Sequence, residues 1–432
     1  MRDATPVSRA PELGLLADFR LLIGLFIALR LMLAMVYQPY ILDRWDAAGE
    51  SNPVERGLTT FGDFRYYFQF ARLSDHGLLP YRDYWHEFPP VWTTLYLGVY
   101  RLLAARGPVD FTVWATALGL ILLAVDAGNL ILLRRLAARL HGEPAALALA
   151  WIYALLAAPL ITAWWTFEAL VLFAILAALA GLVEGRFDRS AAATVIGALT
   201  KLTPLLILPA VWRFFPARRA LRFTAITLLL VGAALALIAG WGGALGRASL
   251  AAQPNKASYQ TVWAILDGNW RTGSFSGPAV RLDPATAYQP LGNPAVIPGW
   301  LRLIPFAVAG LFVYTRPLRH DARGIVAFVS LTFALFMLWA QGWSPQWAVT
   351  LTPVLLLNFP SRDGILACLL LSALSFVEYP VLFMRTGDTG GAITGALALP
   401  YVAVILMRTG LLIGLAVALY RRAREADDGP AG

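Results

Sequence analysis

Phe111 to Leu133 reads FTVWATALGLILLAVDAGNLILL, and this stretch decides what kind of molecule the chain is. A helix over it would be about 35 Å long, more than the roughly 30 Å of a bilayer's hydrocarbon core. Blocks of the same kind recur on both sides, for example Leu15 to Tyr37 and Leu221 to Trp241. Across all 432 residues 59% are hydrophobic and 14% charged, against the roughly 25% charged of a soluble domain. A soluble globule is excluded, and the expectation is an all-α, polytopic membrane bundle folded as a single domain over 1–432. The lone Cys368 sits in an apolar block, so no internal disulfide or thiolate metal site is available. Asp3, Glu12 and Asp18 ahead of the first block, and no small-residue cleavage site after it, predict an uncleaved first helix.

The net charge of +9 is carried by two lysines, Lys201 and Lys256, and 33 arginines. Most of these arginines stand just beyond apolar blocks, which reads as membrane topology and gives no reason to expect a nucleic acid partner. Further blocks that could cross are Ala145 to Ala163, Phe167 to Val183, Trp300 to Tyr314, Gly324 to Ala340, Gln346 to Phe359, Gly364 to Met384 and Ala396 to Tyr420. Val91 to Ala105 is short, and Ala191 to Trp212 is broken by Lys201 and Pro204. If both stay on the side where they start, the clusters at Arg134, Arg186, Arg213, Arg218, Arg316, Arg362 and Arg421 all face the cytoplasm. If both cross, the first two clusters move outside, against the positive-inside bias. About ten crossings, short re-entrant or interfacial helices and two cytoplasmic termini follow.

This topology predicts a first external loop over 38–110, a second over 242–299, smaller external stretches including Trp164 and Trp165, and a cytoplasmic tail over 421–432. The first loop is acidic by three over Gln38 to Pro90. In it Phe64, Tyr67, Phe68 and Ala71 alternate with Arg65, Gln69, Arg72 and His76, the pattern of an amphipathic helix lying in the outer interface. Asp63 precedes that helix, where it suits an N-cap and where a fixed carboxylate can also take a proton from a bound hydroxyl. The run from Pro80 to Pro90 is either an aromatic belt ending in a helix start or a sugar-facing wall with His86 and Glu87. The second loop, rich in Gly, Pro, Asn and Ser, is expected to be a mobile cover. His141 and His320 are expected to be plain solvated residues in arginine-rich turns. No histidine and carboxylate spacing suggests a metal site, although Asp63 with other loop acids leaves a divalent ion open.

Gly62-Asp63-Phe64-Arg65-Tyr66-Tyr67, then Gly77-Leu78-Leu79-Pro80-Tyr81-Arg82-Asp83, then Glu87-Phe88-Pro89-Pro90 resembles the signature of bacterial alpha-mannosyltransferases that use polyprenyl-phosphate mannose, glycosyltransferase family 87. Two further pieces are similar to motifs of that family: Lys201-Leu202-Thr203-Pro204, and Trp343-Ser344-Pro345-Gln346-Trp347. Trp165-Thr166-Phe167-Glu168 departs from it, since members often carry Gly-Gln there. The resemblance implies the C-type (GT-C) architecture, a plasma-membrane location and an active site on the external face. It implies inverting transfer of mannose or a related hexose from a polyprenyl-phosphate donor to a lipid or glycan acceptor, without a cofactor.

In that reading Asp63 is the general base. Lys201 and Arg271 hold the donor phosphate, with Arg82 as another external candidate. Tyr66, Tyr67, Tyr81, His86, Glu87, Trp343, Gln346 and Glu378 face sugar or acceptor. Lys201 would cost about 2.5–3.5 kcal/mol to insert, which marks either a function or a residue snorkelling to the interface. Glu378 is an intramembrane acid that either pairs with an arginine or lines a cavity. A transporter or lipid flippase is the alternative, but such proteins bind at the midplane through paired broken helices, and no internal repeat is visible here.

Overall fold

The computed structural model describes residues 14–37, 40–45, 51–56, 63–157, 160, 166–273, 277–289, 291–386 and 389–424. Trp164, Trp165, Gly62 and the tail after Arg424 lie outside the described residues. Among the described residues the regular structure is helical apart from one antiparallel hairpin in the first loop, β1 (Tyr40–Trp45) against β2 (Ser51–Arg56), with Tyr40 opposite Arg56. The all-α class holds for the bundle; the hairpin was not expected, because two six-residue strands carry too little pattern to stand out.

The helices are α1 (Phe19–Tyr37), α2 (Asp63–Arg72), α3 (Pro90–Ala104), α4 (Phe111–His141), α5 (Glu143–Leu155), α6 (Glu168–Val183), α7 (Phe187–Ala198), α8 (Leu208–Phe214) and α9 (Ala217–Trp241). They continue with α10 (Gly243–Ala251), α11 (Val262–Leu266), α12 (Gly299–Thr315), α13 (Ala322–Trp339), α14 (Trp347–Asn358), α15 (Arg362–Phe376) and α16 (Ala398–Arg424). Local chemistry sets their ends. Asp110 caps α4 by accepting from the N–H groups of Thr112 and Val113, and Gly142 closes it at φ 84°. Asp321 and Ser361 cap α13 and α15 by accepting from the N–H groups of Gly324 and Gly364. Among the described residues, five helical stretches are long and apolar enough to cross a membrane: Phe111–His141, Ala217–Trp241, Ala322–Trp339, Arg362–Arg385 and Gly395–Arg424. Glu143–Leu155, Glu168–Val183, Gly299–Thr315 and Trp347–Asn358 are shorter apolar helices beside them.

The arginine clusters converge on one end of the bundle. Arg134 pairs with Glu143 at 2.7 Å, while Arg135 and Arg186 share Glu184 at 2.6 and 3.2 Å. Arg213 donates to the carbonyl of Arg316 at 3.0 Å, and Arg323 to that of Leu140 at 2.8 Å. His141 is half-buried at this end with its Nε2 2.7 Å from the Leu357 carbonyl, so it is not a plain solvated residue. His320 stays exposed but stacks edge-on against Phe214.

The interrupted block over 191–212 doubles back. Thr200 and Lys201 follow the end of α7, Pro204 lies in a 3₁₀ turn (Thr203–Ile207), and α8 returns. Phe187 at the start of this hairpin meets Phe215 at its end, with ring centroids 4.7 Å apart. Both arms therefore begin and finish at the arginine end, and the tip carrying Lys201 points into the bundle. The α3 helix starts at that tip, where the Val91 N–H bonds the Leu199 carbonyl at 2.9 Å, and ends beside the first loop, where the Tyr100 hydroxyl bonds Asp75 at 2.5 Å.

Two expectations about the loops change. The apolar face of α2 does not lie in lipid. Phe64, Tyr67 and Phe68 pack on Trp114, Trp92 and Phe111 at centroid distances of 5.6, 5.2 and 5.2 Å, so α2 is pinned to α3 and α4 by edge-on aromatic contacts. The 242–299 segment is not a mobile cover either. It contains α10, α11 and two 3₁₀ turns, and buried Asp267 ties it to Arg302 through bonds of 2.7 and 2.8 Å. A side chain at Gly242 would place a Cβ 2.2 Å from the Tyr81 carbonyl, so the two loops meet where only glycine fits.

A hairpin that returns to its own side has a direct consequence for labelling. With single cysteines introduced at Arg186, Arg218 and Gln289, an impermeant thiol reagent should reach the first two from one face of the membrane and the third from the other. Labelling of Arg186→Cys and Arg218→Cys from opposite faces would show that 191–212 crosses.

Candidate active site

Asp63 opens α2 and is half-buried in a cavity of about 90 Å³ whose wall also holds Glu87, Lys201, Lys256, Tyr259, Gln260, Gln346 and Trp347. Six segments distant in the chain meet there: the first loop, Thr166 and Phe167 before α6, the hairpin tip, the second loop, the start of α14, and Tyr379 and Phe383 after α15. Gln346 reaches Asp63 directly, donating from Nε2 to Oδ2 at 3.3 Å. The Ser-Pro-Gln piece is held in turn by Tyr259, whose ring lies over Gly342 so closely that a Cβ there would sit 2.2 Å from it.

Both lysines of the chain line this cavity. Lys201 pairs with Glu168, which also accepts from the Thr350 hydroxyl at 3.3 Å, and its ammonium lies 4.9 Å from the centre of the Trp347 ring. Lys256 pairs with Glu87 at 2.7 Å, and Arg281 approaches the other Glu87 oxygen at 3.7 Å. Arg281 is itself sandwiched between Phe70 and Trp85, 4.6 and 4.4 Å from their ring centres. Burial would raise Glu87, but Lys256 and Arg281 outweigh it and hold its carboxyl at about 2. Among the described residues no cation pairs directly with Asp63. Burial and then the charge of Glu87 raise it to about 7, with Lys256 and Lys201 pulling only partly the other way.

A second, apolar groove of about 650 Å³ adjoins the cavity and shares Glu87, Phe88, Lys201, Gln253, Lys256, Tyr259 and Trp347 with it. Its far walls are Leu206, Leu235, Ile238, Trp300, Phe336 and Trp339, from the hairpin, α9, α12 and α13. Past Leu206, Phe336 and Trp339 it leads into a further apolar cleft of about 410 Å³ that follows α12 and α13 to Tyr314. The two lysines thus stand at the border between a long apolar channel and a small polar cavity.

The remaining residues singled out in the sequence are placed differently. Tyr67 packs in the aromatic core on Trp92 and Tyr96. The hydroxyl of Tyr81 is used internally, donating to the Phe88 carbonyl at 2.7 Å, and Tyr81 and His86 are buried where they border the groove. Burial, aided by Arg281, lowers His86 to about 3, and its Nδ1 accepts from the Phe88 N–H at 3.3 Å. Tyr66 is half-buried on α2 outside the cavity lining. Arg271 is not brought to the cavity; its backbone carbonyl accepts from Tyr401 at 3.2 Å. Arg82 is exposed and pairs with Asp83 at 2.7 Å. Glu378 is the partner of an arginine: it pairs with Arg408 and accepts from the Trp343 indole at 2.9 Å. Arg408 also donates to the Gln260 carbonyl, so this buried network braces one wall of the cavity from behind.

Sequence reasoning missed Lys256, Glu168, Tyr259 and Arg281. The one signal available was the scarcity of lysine: a chain that uses arginine everywhere else has reason to use lysine where it does not. Among the described residues, no three His, Cys, Asp or Glu side chains are grouped to hold a metal ion.

No protein-family model matches the chain, and no curated protein does. Solved structures with some likeness include the apo oligosaccharyltransferase of Archaeoglobus fulgidus, at 12% identity and a TM-score of 0.41, covering 96% of this chain and 59% of that one. Another is that organism's oligosaccharyltransferase with an inhibitory peptide and a dolichol-phosphate, at 11% identity and a TM-score of 0.34, covering 95% and 56%. The chain spans less than three fifths of the length of these proteins. At so low a likeness the functional argument rests on this chain's own residues.

The brace behind the cavity can be probed without knowing the substrate. Arg408→Leu leaves Glu378 buried and unpaired, which should cost about 3–5 kcal/mol of stability, read as a lowered unfolding midpoint in detergent. The double replacement with Glu378→Leu should recover part of that loss. Equal midpoints for wild type and Arg408→Leu would remove the brace from this account.

Proposed function

We propose that this chain is a membrane glycosyltransferase that moves a sugar from a polyprenyl phosphate to an acceptor hydroxyl at the outer face of the plasma membrane. The observation that carries the reading is the pair of lysines at the border between an apolar channel and a polar cavity containing the Asp63 carboxylate, which is bonded by Gln346 and not by a cation among the described residues. An amphiphile with a long apolar tail, an anionic phosphate and a polar head matches those three environments in order. The tail occupies the groove, the phosphate exchanges with Glu168 and Glu87 for Lys201 and Lys256, and the sugar enters the cavity beside Asp63. Ten crossings and two cytoplasmic termini accompany this reading, supported by the convergence of the arginine clusters on one end. Mannose, or a related hexose, is the proposed sugar on the strength of the motif around Asp63.

In the reaction the acceptor hydroxyl attacks the anomeric carbon from the side opposite the phosphate. The new C–O bond forms as the bond to the phosphate oxygen breaks, the configuration inverts, and the hydroxyl proton passes to Asp63. The departing polyprenyl phosphate gains negative charge, which the two ammonium groups stabilise most strongly in the transition state. An Asp63 carboxyl near 7 suits a general base, whose effectiveness peaks when its pKa lies near the working pH. Gln346 orients the carboxylate, and Glu168 and Glu87 hold the lysines in place before the donor arrives.

Purified protein supplied with polyprenyl-phosphate mannose and a membrane extract as acceptor should transfer the sugar, and Asp63→Asn should remain folded while losing at least about a hundredfold in rate. Wild-type turnover by that variant would remove Asp63 from the chemistry. Because the carboxylate is the active form, the rate should climb with pH through an apparent pKa near 7 and fall away below it. Glu87→Gln takes away the neighbouring negative charge that raises Asp63, so the acid limb should move to lower pH. A limb unmoved in Glu87→Gln would assign it to another group.

Lys201→Ala and Lys256→Ala should each raise KM for the donor roughly tenfold or more while changing acceptor KM little, since only the donor brings a phosphate to a low-dielectric border. Lys201→Arg keeps the charge and should retain part of the activity. Unchanged donor KM in both alanine variants would mean the phosphate is held elsewhere.

A further inference from the structure

At the opposite end of the molecule from Asp63, α7 and α9 enclose a polar cavity of about 400 Å³. Its walls carry Arg186, Arg189, Arg219 and Arg222 together with one carboxylate, the exposed Asp188. Arg186 is paired with Glu184, and Arg222 with Asp188 at 3.0 Å. Among the described residues Arg189 and Arg219 have no acidic partner, and the Arg219 guanidinium only rests 5.2 Å from the centre of the Phe187 ring. Both are exposed, so water and salt screen their mutual repulsion, but together they leave an excess of two positive charges for an anion to meet. The apolar floor of the cavity is half-buried Ile226, lying over Ala191 and Phe223, which are both buried in the core. Below it the same face of α9 continues through Leu229 and Leu230, three and four residues beyond Ile226, exposed by 70% and 53% with no protein over them.

We propose that this cavity binds the phosphodiester headgroup of an anionic phospholipid, with an acyl chain running down α9 over Ile226 and Leu230. The inference uses the reading of the chain as membrane-spanning but not the reading of its chemistry. Arginine is suited to the headgroup because its planar fork can give two parallel hydrogen bonds to phosphate oxygens. Basic pockets between helices at the cytoplasmic surface have the right field and depth for such lipids. A soluble anion would satisfy the arginines but leave the apolar floor unused, and a zwitterionic lipid would satisfy the floor while adding a cation beside the arginines.

The test is native mass spectrometry of the full chain in detergent, titrated with phosphatidylglycerol, phosphatidylcholine or inorganic phosphate. The wild type should retain phosphatidylglycerol at least several times better than phosphatidylcholine. Arg189→Gln combined with Arg219→Gln should weaken phosphatidylglycerol binding roughly tenfold or more, at about 1 kcal/mol per basic residue. Arg189→Lys combined with Arg219→Lys should fall between the two, which separates loss of charge from damage to the fold. Equal phosphatidylglycerol retention by wild type and the Gln variant would overturn the proposal, as would equal retention of phosphatidylcholine. Inorganic phosphate that displaces phosphatidylglycerol at comparable concentration would make the site a free-anion site and also overturn it. The readout is lipid retention, so it stands or falls separately from sugar transfer.

Discussion

Asp63 is half-buried with negative charge nearby and no cation in direct contact, while the two cations of its cavity are engaged by Glu87 and Glu168. Taking an ion out of water costs several kcal/mol unless a partner compensates. Three carboxylates and two ammonium groups therefore share this border only because Arg281 supplies a sixth charge, held between Phe70 and Trp85. The arrangement leaves Asp63 as the group whose protonation responds to what enters. It also means that an incoming phosphate meets lysines already oriented by their resident partners, with nothing to reorganise except the ion pairs themselves.

Most of the fold can be understood as the means of holding that cluster. The α7–α8 hairpin exists to bring Lys201 into the bundle from the arginine end, and Pro204 makes the turn that allows it to return. Lys256 arrives from the second loop, which is anchored on its far side by the Asp267–Arg302 pair. Asp63 is fixed because α2 is clamped by aromatic rings on α3 and α4, and Gln346 is fixed because Tyr259 covers Gly342. The buried Arg408–Glu378 pair ties the second loop to α15 and α16. The cavity thus depends on contacts between residues far apart in the chain, and its rim can be disturbed from several directions.

That dependence explains what the sequence reveals and what it hides. Helix positions were legible to within a few residues: the block from Trp300 to Tyr314 forms Gly299–Thr315, and that from Gln346 to Phe359 forms Trp347–Asn358. The hairpin over 191–212 was legible because arginines on both sides leave a parity that only a return satisfies. The alternation on α2 gave Phe64, Tyr67 and Ala71 of its buried face but took half-buried Phe68 in place of Phe70, and it did not give what covers that face, since aromatic residues suit a lipid interface and a protein core equally. Lys256 and Glu168 were hidden for a different reason. Each is an ordinary charged residue locally, and what makes it part of the site is a partner in another segment, which periodicity cannot report. The second loop misled in the same way: its Gly, Pro and Asn content signals irregular backbone, and irregular backbone can be as firmly packed as a helix when its polar groups are satisfied, as Asn269 shows by bonding Ser258 at 3.0 Å and the Asn293 carbonyl at 3.1 Å.

The central claim is that one amphiphile spans the apolar groove, the two lysines and the cavity of Asp63. The most direct measurement is an electron cryomicroscopy structure in lipid nanodiscs with a non-transferable polyprenyl-phosphate sugar bound. The account predicts the phosphate between Lys201 and Lys256, within hydrogen-bond distance of both, with the sugar beside Asp63 and the tail along α12 and α13. A headgroup bound away from both lysines, or a tail leaving on another side of the bundle, would contradict it.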